Sequence, residues 1–168
     1  MGFNFAGVDK QDRHSGHLYT YVPPEGRDAW RNFLLEFEWD WLATLTARKE
    51  RGFPDLLVHN FRHWINMINR KRFGPRWYKK DRGIGWVYGL ETGAGGNVHI
   101  HALLAGVMHL DRRYWRDEWV ITTGGLADIQ IIGDTELDFR KVTYYVVKQG
   151  KLEFSRHLRD YEFATPLL

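Results

Sequence analysis

The sequence predicts an α+β protein: a ferredoxin-like, split βαβ antiparallel sheet with helices on one face and an open active-site face. Three observations predict it. Segments of period-two alternation are separated by segments of helical period. Their order is strand, helix, hairpin, helix, strand, helix. Along the strands, apolar residues collect on one side and polar residues on the other.

The first strand runs from Trp41 to Ala47. Trp41, Ala43 and Leu45 share one side, and Leu42, Thr44 and Thr46 the other. A helix follows from about Pro54 to Phe73. Proline suits its first turn, and Leu57, Phe61, Trp64, Ile65 and Ile68 recur at helical spacing. Gly74 and Pro75 end it. Ile84 to Glu91 reads as a strand, with Ile84, Trp86, Tyr88 and Leu90 opposite Gly85, Val87, Gly89 and Glu91. Residues 92–96, Thr-Gly-Ala-Gly-Gly, form the turn. Asn97 to Leu104 returns with Val98, Ile100 and Ala102 inward. A helix over Asp111 to Trp119 takes Asp111 as its N-cap. Ala127 to Ile132 alternates, Ile129 and Ile131 inward, and the last helix spans about Thr135 to Lys148. The open face then carries Thr44, Thr46, Glu91, His99, His101, Asp128 and Gln130.

The 168 residues suit one domain, with 1–38 as an N-terminal extension packed on a main domain of 39–168. Hydrophobic content of 43% and charged content of 27% are those of a globular chain. No apolar run approaches the roughly 18 residues of a membrane helix, and no signal peptide opens the sequence. A cytoplasmic protein with no membrane partner is expected. The absence of cysteine removes disulfides, thiolate catalysis and sulfur-ligated zinc.

Net charge is only +3, but its distribution is uneven. Seven basic residues, Arg70, Lys71, Arg72, Arg76, Lys79, Lys80 and Arg82, face one acid, Asp81, with Trp77 and Tyr78 among them. Cations suit phosphates and aromatic faces suit unstacked bases, so the mixture fits a single strand. A solvated basic loop is the plain alternative.

His99 and His101 lie two apart on one strand face and can grip one metal ion. Half-exposed surface histidines would look the same. Glu91, on the neighbouring strand, would complete a set fit for Mn²⁺ or Mg²⁺. The hairpin register decides. Glu91 shares the histidines' face if it pairs with His99, which needs a loop such as Ala94–Gly96. A two-residue loop at Gly95-Gly96 would point it away. On the last helix, Tyr145 and Lys148 share a face three residues apart. A tyrosine with its ordinary pKa of about 10 is a poor nucleophile, and a nearby cation or metal corrects that. Core packing is the plain alternative for both tyrosines and is the reading assigned to Tyr144, which points about 100° away, so the two cannot alternate as nucleophiles on one face.

At this point the chain resembles the HUH endonuclease superfamily. Residues 97–104, Asn-Val-His-Ile-His-Ala-Leu-Leu, resemble its histidine–hydrophobe–histidine motif. Tyr145-Val-Val-Lys148 resembles its nucleophile motif, and residues 41–46, Trp-Leu-Ala-Thr-Leu-Thr, the first motif of rolling-circle replication initiators. The ordered set covers about Trp41 to Lys151, and the strand at residues 125–130 resembles plasmid and phage initiators. The resemblance implies that His99, His101 and Glu91 hold Mn²⁺ or Mg²⁺. It implies that Tyr145, helped by Lys148, attacks a phosphate of single-stranded DNA or an origin hairpin. A 5′-phosphotyrosine link and a free 3′-hydroxyl result, and a second transesterification rejoins the strand. Thr44, Thr46, Gln130, Arg70, Arg72, Arg76, Trp77, Lys79, Lys80 and Arg82 are the expected DNA contacts. No Walker A sequence is present, so unwinding would fall to a host helicase and synthesis to a host polymerase. A third metal histidine, usual in relaxases, has no match here. A single-strand transposase, a mobilisation relaxase and a non-catalytic nucleic-acid-binding module are the alternatives. The remaining histidines, His14, His17, His59, His63, His109 and His157, are assigned to surface or packing.

Overall fold

A computed structural model describes residues 20–48, 53–133, 136–148 and 151–161 of the protein. In chain order the elements are β1 (Thr20–Tyr21), α1 (Arg27–Leu34), β2 (Trp41–Leu45), α2 (Pro54–Phe73), β3 (Gly85–Thr92), β4 (Val98–Ala105), α3 (Arg112–Thr123), β5 (Ala127–Ile131), α4 (Glu136–Val147) and β6 (Lys151–Phe154). The strands form one sheet in the order β1-β6-β3-β4-β2-β5, every neighbouring pair antiparallel. Strands β2 and β3 flank β4, and β4 and β5 flank β2. Helices α2 and α3 make those two crossovers, which is the split βαβ arrangement. His14, His17 and Thr135 lie outside the described residues.

Both crossover helices cover the same sheet face. Leu57, Phe61, Trp64 and Ile68 of α2, with Trp115 and Trp119 of α3, pack on Trp41, Ala43, Tyr88, Ile100 and Leu104. Two of the buried indoles donate to backbone, Trp64 to the Trp115 carbonyl at 3.0 Å and Trp119 to the Thr46 carbonyl at 2.7 Å. Asp111 caps α3 by accepting from the Arg113 N–H at 2.9 Å. Edge strand β5 buries Ile129, but Ile131, expected to face inward, is 58% exposed at the strand's end.

The α+β class and the antiparallel open sheet stand as expected, and the second face carries more than expected. Helix α4 lies across it, with Phe139, Val142, Val146 and Val147 against Leu42, Val87, Leu103 and Leu152. Helix α1 packs on α4, and Leu34, Phe37 and Trp39 extend this second core. An apolar helix face had to be buried, and the second side of β2, β3 and β4 was apolar enough to bury it. What stays open is a cleft between α4 and the β2–β5 side of the sheet. Among the described residues, no helix is long and apolar enough to cross a membrane.

Candidate active site

The hairpin register meets the condition set by the sequence. Glu91 lies opposite His99, and Thr92 opposite Val98. The Gly93 N–H donates to the Asn97 carbonyl at 2.9 Å, and the Gly96 N–H to the Gly93 carbonyl at 2.9 Å. The loop is therefore Ala94–Gly96, with Gly96 at φ +74°, the left-handed position that a three-residue hairpin needs. Glu91, His99 and His101 consequently share one face.

Helix α4 reaches that face because of Gly89. This residue pairs with His101 and sits between Val87 and Glu91 on the same side of β3. A Cβ there would fall onto the carbonyl oxygen of Val146. Only glycine lets the last turn of α4 rest directly on the sheet. That contact carries Tyr145 and Lys148 over the hairpin. The Lys148 ammonium donates to Glu91 Oε1 at 2.7 Å, and the Tyr145 ring lies 5.9 Å from the His101 ring.

His101 is held from both sides. Its Nε2 lies 2.9 Å from Glu91 Oε2, and its Nδ1 lies 3.2 Å from Thr44 Oγ1. Beside a carboxylate the proton belongs on Nε2, and the threonine hydroxyl then donates to Nδ1. Burial pushes the His101 pKa down, and Glu91 offsets this only in part. The Lys148 hydrogen bond and charge hold Glu91 below the usual carboxylate range, against a smaller opposing effect of burial. The same contact raises Lys148. At neutral pH the cluster therefore contains a neutral imidazole, a carboxylate and an ammonium.

This gives a pH-dependent prediction. The folded pKa of Glu91 lies below its unfolded value, so the carboxylate's contribution is present above the ordinary carboxylate range. It is lost as pH falls through the lowered folded value. Glu91→Gln is expected to be less stable than the parent at neutral pH, and the gap should close on acidification. Urea titrations across that range check it; a gap that stays constant would assign the loss to packing instead.

Two imidazoles and one carboxylate on one face suit a divalent ion with open positions. As the side chains stand, no three His, Cys, Asp or Glu groups among the described residues converge on one point. The His99 and His101 rings are nearly parallel, 7° apart in plane and 6.4 Å between centroids. His99 is half-buried beside Gly93, whose missing Cβ would stand 3.4 Å from its Nε2. The donor set thus fits such an ion in type and shares one sheet face, without converging on one point as the side chains stand.

The cleft beside these residues measures about 310 Å³, and Thr44, His101, Gln130, Lys141 and Tyr145 line it. Lys141 and Gly89 were missed by motif reasoning. Lys141 stands one turn before Tyr145 on the same helix face, and its spacing was the available signal. Gly89 was visible as a lone glycine inside a strand, which marks close backbone approach.

Other expected residues sit differently. Thr44 positions His101 as well as lining the cleft. Thr46 pairs with Leu126, its hydroxyl accepting from the Leu126 N–H at 3.0 Å. Gln130 donates to Asp128 Oδ2 at 2.6 Å. The basic segment is not brought to the cleft. Arg70 and Arg72 end α2 on the opposite face, while Arg76, Lys79, Lys80 and Arg82 lie exposed in the turn before β3. From the start of β3 to Glu91 is about 20 Å along the strand. Trp77 is engaged by Asn66 Oδ1 at 3.0 Å and packs edge-on to His157. Tyr144, assigned to packing, is instead 49% exposed under Arg31. His59, His63 and His109 are exposed and His157 is buried.

No protein-family model matches the chain, and no curated protein matches it. Among solved structures, the chain is similar to the crystal structure of the hypothetical protein ORF119 from Sulfolobus islandicus rod-shaped virus 1. Identity is 18%, the TM-score is 0.48, and the match covers 73% of this chain and 91% of that one.

Proposed function

We propose that the protein nicks and rejoins single-stranded DNA through Tyr145, with a divalent metal at Glu91, His99 and His101, as rolling-circle replication initiators do. The observation that carries this reading is that Glu91, His101 and Lys148 form one contact network beside the cleft that His101 and Tyr145 line. They come from three elements, and a glycine in the sheet is what allows the third to arrive. The fold core needs none of these four polar side chains.

The residues divide the work as follows. Tyr145 is 36% exposed toward the cleft, so a strand can reach its oxygen. Its Oη bonds to phosphorus, its proton passes to solvent, and the bond from phosphorus to the 3′ oxygen breaks. The departing 3′ oxygen takes up a proton and becomes a free hydroxyl. The tyrosyl phosphodiester retains its ester energy, so that hydroxyl can attack it and restore the strand. Lys148, held as an ammonium by Glu91, supplies charge and not a base. It neutralises the phosphate. Thr44 fixes the orientation of His101. Lys141 adds a second cation to the cleft wall. A bound Mn²⁺ or Mg²⁺ would polarise the phosphoryl oxygens.

The test is a denaturing gel. The protein is incubated with pooled single-stranded oligonucleotides from the replicon that encodes it, with Mn²⁺ or with EDTA. A Mn²⁺-dependent, SDS-resistant adduct that maps to Tyr145 is expected. The double variant His99→Ala, His101→Ala should lose the adduct by about 10³-fold or more. Unchanged nicking in that variant would remove the metal from the reading, and no adduct on any strand would remove the nuclease.

A further inference from the structure

We propose that the groove between α1 and α4 is a second subsite for the DNA strand, in which Arg31 and Arg140 hold a backbone phosphate and Tyr144 stacks the neighbouring base. The proposal rests on the reading of the protein as acting on single-stranded DNA, and it gives the N-terminal helix a part in it.

The groove measures about 280 Å³ and is lined by Asp28, Arg31, Asn32, Leu35, Arg140 and Thr143. The Arg31 guanidinium lies over the Tyr144 ring, 5.5 Å from its centroid. Arg31 Nε is buried and has no hydrogen-bond partner among the described residues, and Arg27 Nε, one turn earlier, is in the same state. A buried N–H without an acceptor is costly, so such groups are normally satisfied. A phosphate oxygen is the acceptor whose geometry suits a guanidinium edge. Helix α1 is anchored through Leu34, with Trp30 and Phe33 beside it, so the apolar core does not depend on Arg31.

Position links the groove to the chemistry. The Tyr144 ring stands 6.1 Å from Tyr145, and Tyr145 stands 5.9 Å from His101. A strand whose phosphate meets Tyr145 therefore passes Tyr144 next and then the arginines. An exposed tyrosine backed by a guanidinium is a platform on which any base can stack. Among the residues whose side chains are described, Asp28 is the carboxylate that lines the groove. It accepts from Arg31 at 3.1 Å but is 88% exposed, so the pair is weak and a phosphate can displace it.

The experiment is fluorescence anisotropy of the full chain with a labelled mixed-sequence single-stranded oligonucleotide, in EDTA, across a salt series. Arg31→Ala and Arg140→Gln are each expected to weaken binding about tenfold. Each should also flatten the dependence of log affinity on log salt by about 0.7. Tyr144→Phe should bind like the parent and Tyr144→Ala about fivefold more weakly. Asp28→Asn should bind about threefold more tightly, a gain that loss of structure cannot mimic. If Arg31→Ala unfolds, Arg140→Gln and Asp28→Asn carry the test alone. An unaltered salt slope in Arg140→Gln, with no gain in Asp28→Asn, overturns the subsite even where the Tyr145 adduct forms. A reduced slope without any adduct supports the groove and overturns the nuclease reading.

Discussion

Tyr145→Phe is expected to abolish the covalent adduct and to lower strand cleavage by about 10⁴-fold or more. The substitution removes one oxygen and leaves the ring that stands beside His101. Strand affinity should therefore change by less than about threefold, and stability by less than about 0.5 kcal/mol, as for other partly exposed sites. The control is Tyr144→Phe. That ring faces Arg31 rather than the hairpin, 72° out of plane with Tyr145. It should cleave at the parent rate. Intact adduct in Tyr145→Phe, lost in Tyr144→Phe, would transfer the nucleophile to Tyr144. The Lys148–Glu91 contact would then have to be structural.

The site was legible where a local rule had a geometric consequence. Alternation placed His99 and His101 on one face, and parity of the hairpin register decided Glu91. The three-residue loop is what makes the odd register possible, since Gly96 takes the left-handed position. Helix α2 was legible to its ends because proline starts it and glycine stops it. Where packing between distant segments decided, the sequence was mute. The four-residue β6 is too short for its alternation to stand out, and β1 has only two residues. The position of α4 across the second face was partly encoded. Val87 and Leu103 break the polar character of that side, and both end up beneath the helix. The basic segment shows the limit of composition. Its charges are real, but they follow α2 around to the far end of β3, and their density says nothing about where they lie. Arg31 and Lys141 stand closer to the reacting tyrosine than any of them, and neither belongs to a charge cluster.

Gly89→Ala is the test that joins fold and site. A methyl at this position meets the Val146 carbonyl, and a helix backbone cannot yield as a side-chain tip would. Helix α4 must therefore lift from β3. Its Val142, Val146 and Val147 then lose contact with Val87, Leu103 and Leu152, at a cost of about 3 kcal/mol. Tyr145 and Lys148 move with the helix. A displacement of about 1 Å at a reacting group is enough to cost 10²-fold in rate. Adduct yield should thus fall by about that factor or more under conditions where the protein is still folded. Gly89→Val should be worse on both counts. Gly95→Ala is the matched control, because nothing stands within 4 Å of a Cβ there. It should leave both quantities near the parent values. Urea melts and the adduct gel, run on the three variants together, measure the two effects separately. Parent-like stability and adduct yield in Gly89→Ala would mean that α4 does not rest on the sheet at this point. The meeting of Tyr145 with Glu91 and His101 would then lose its structural basis.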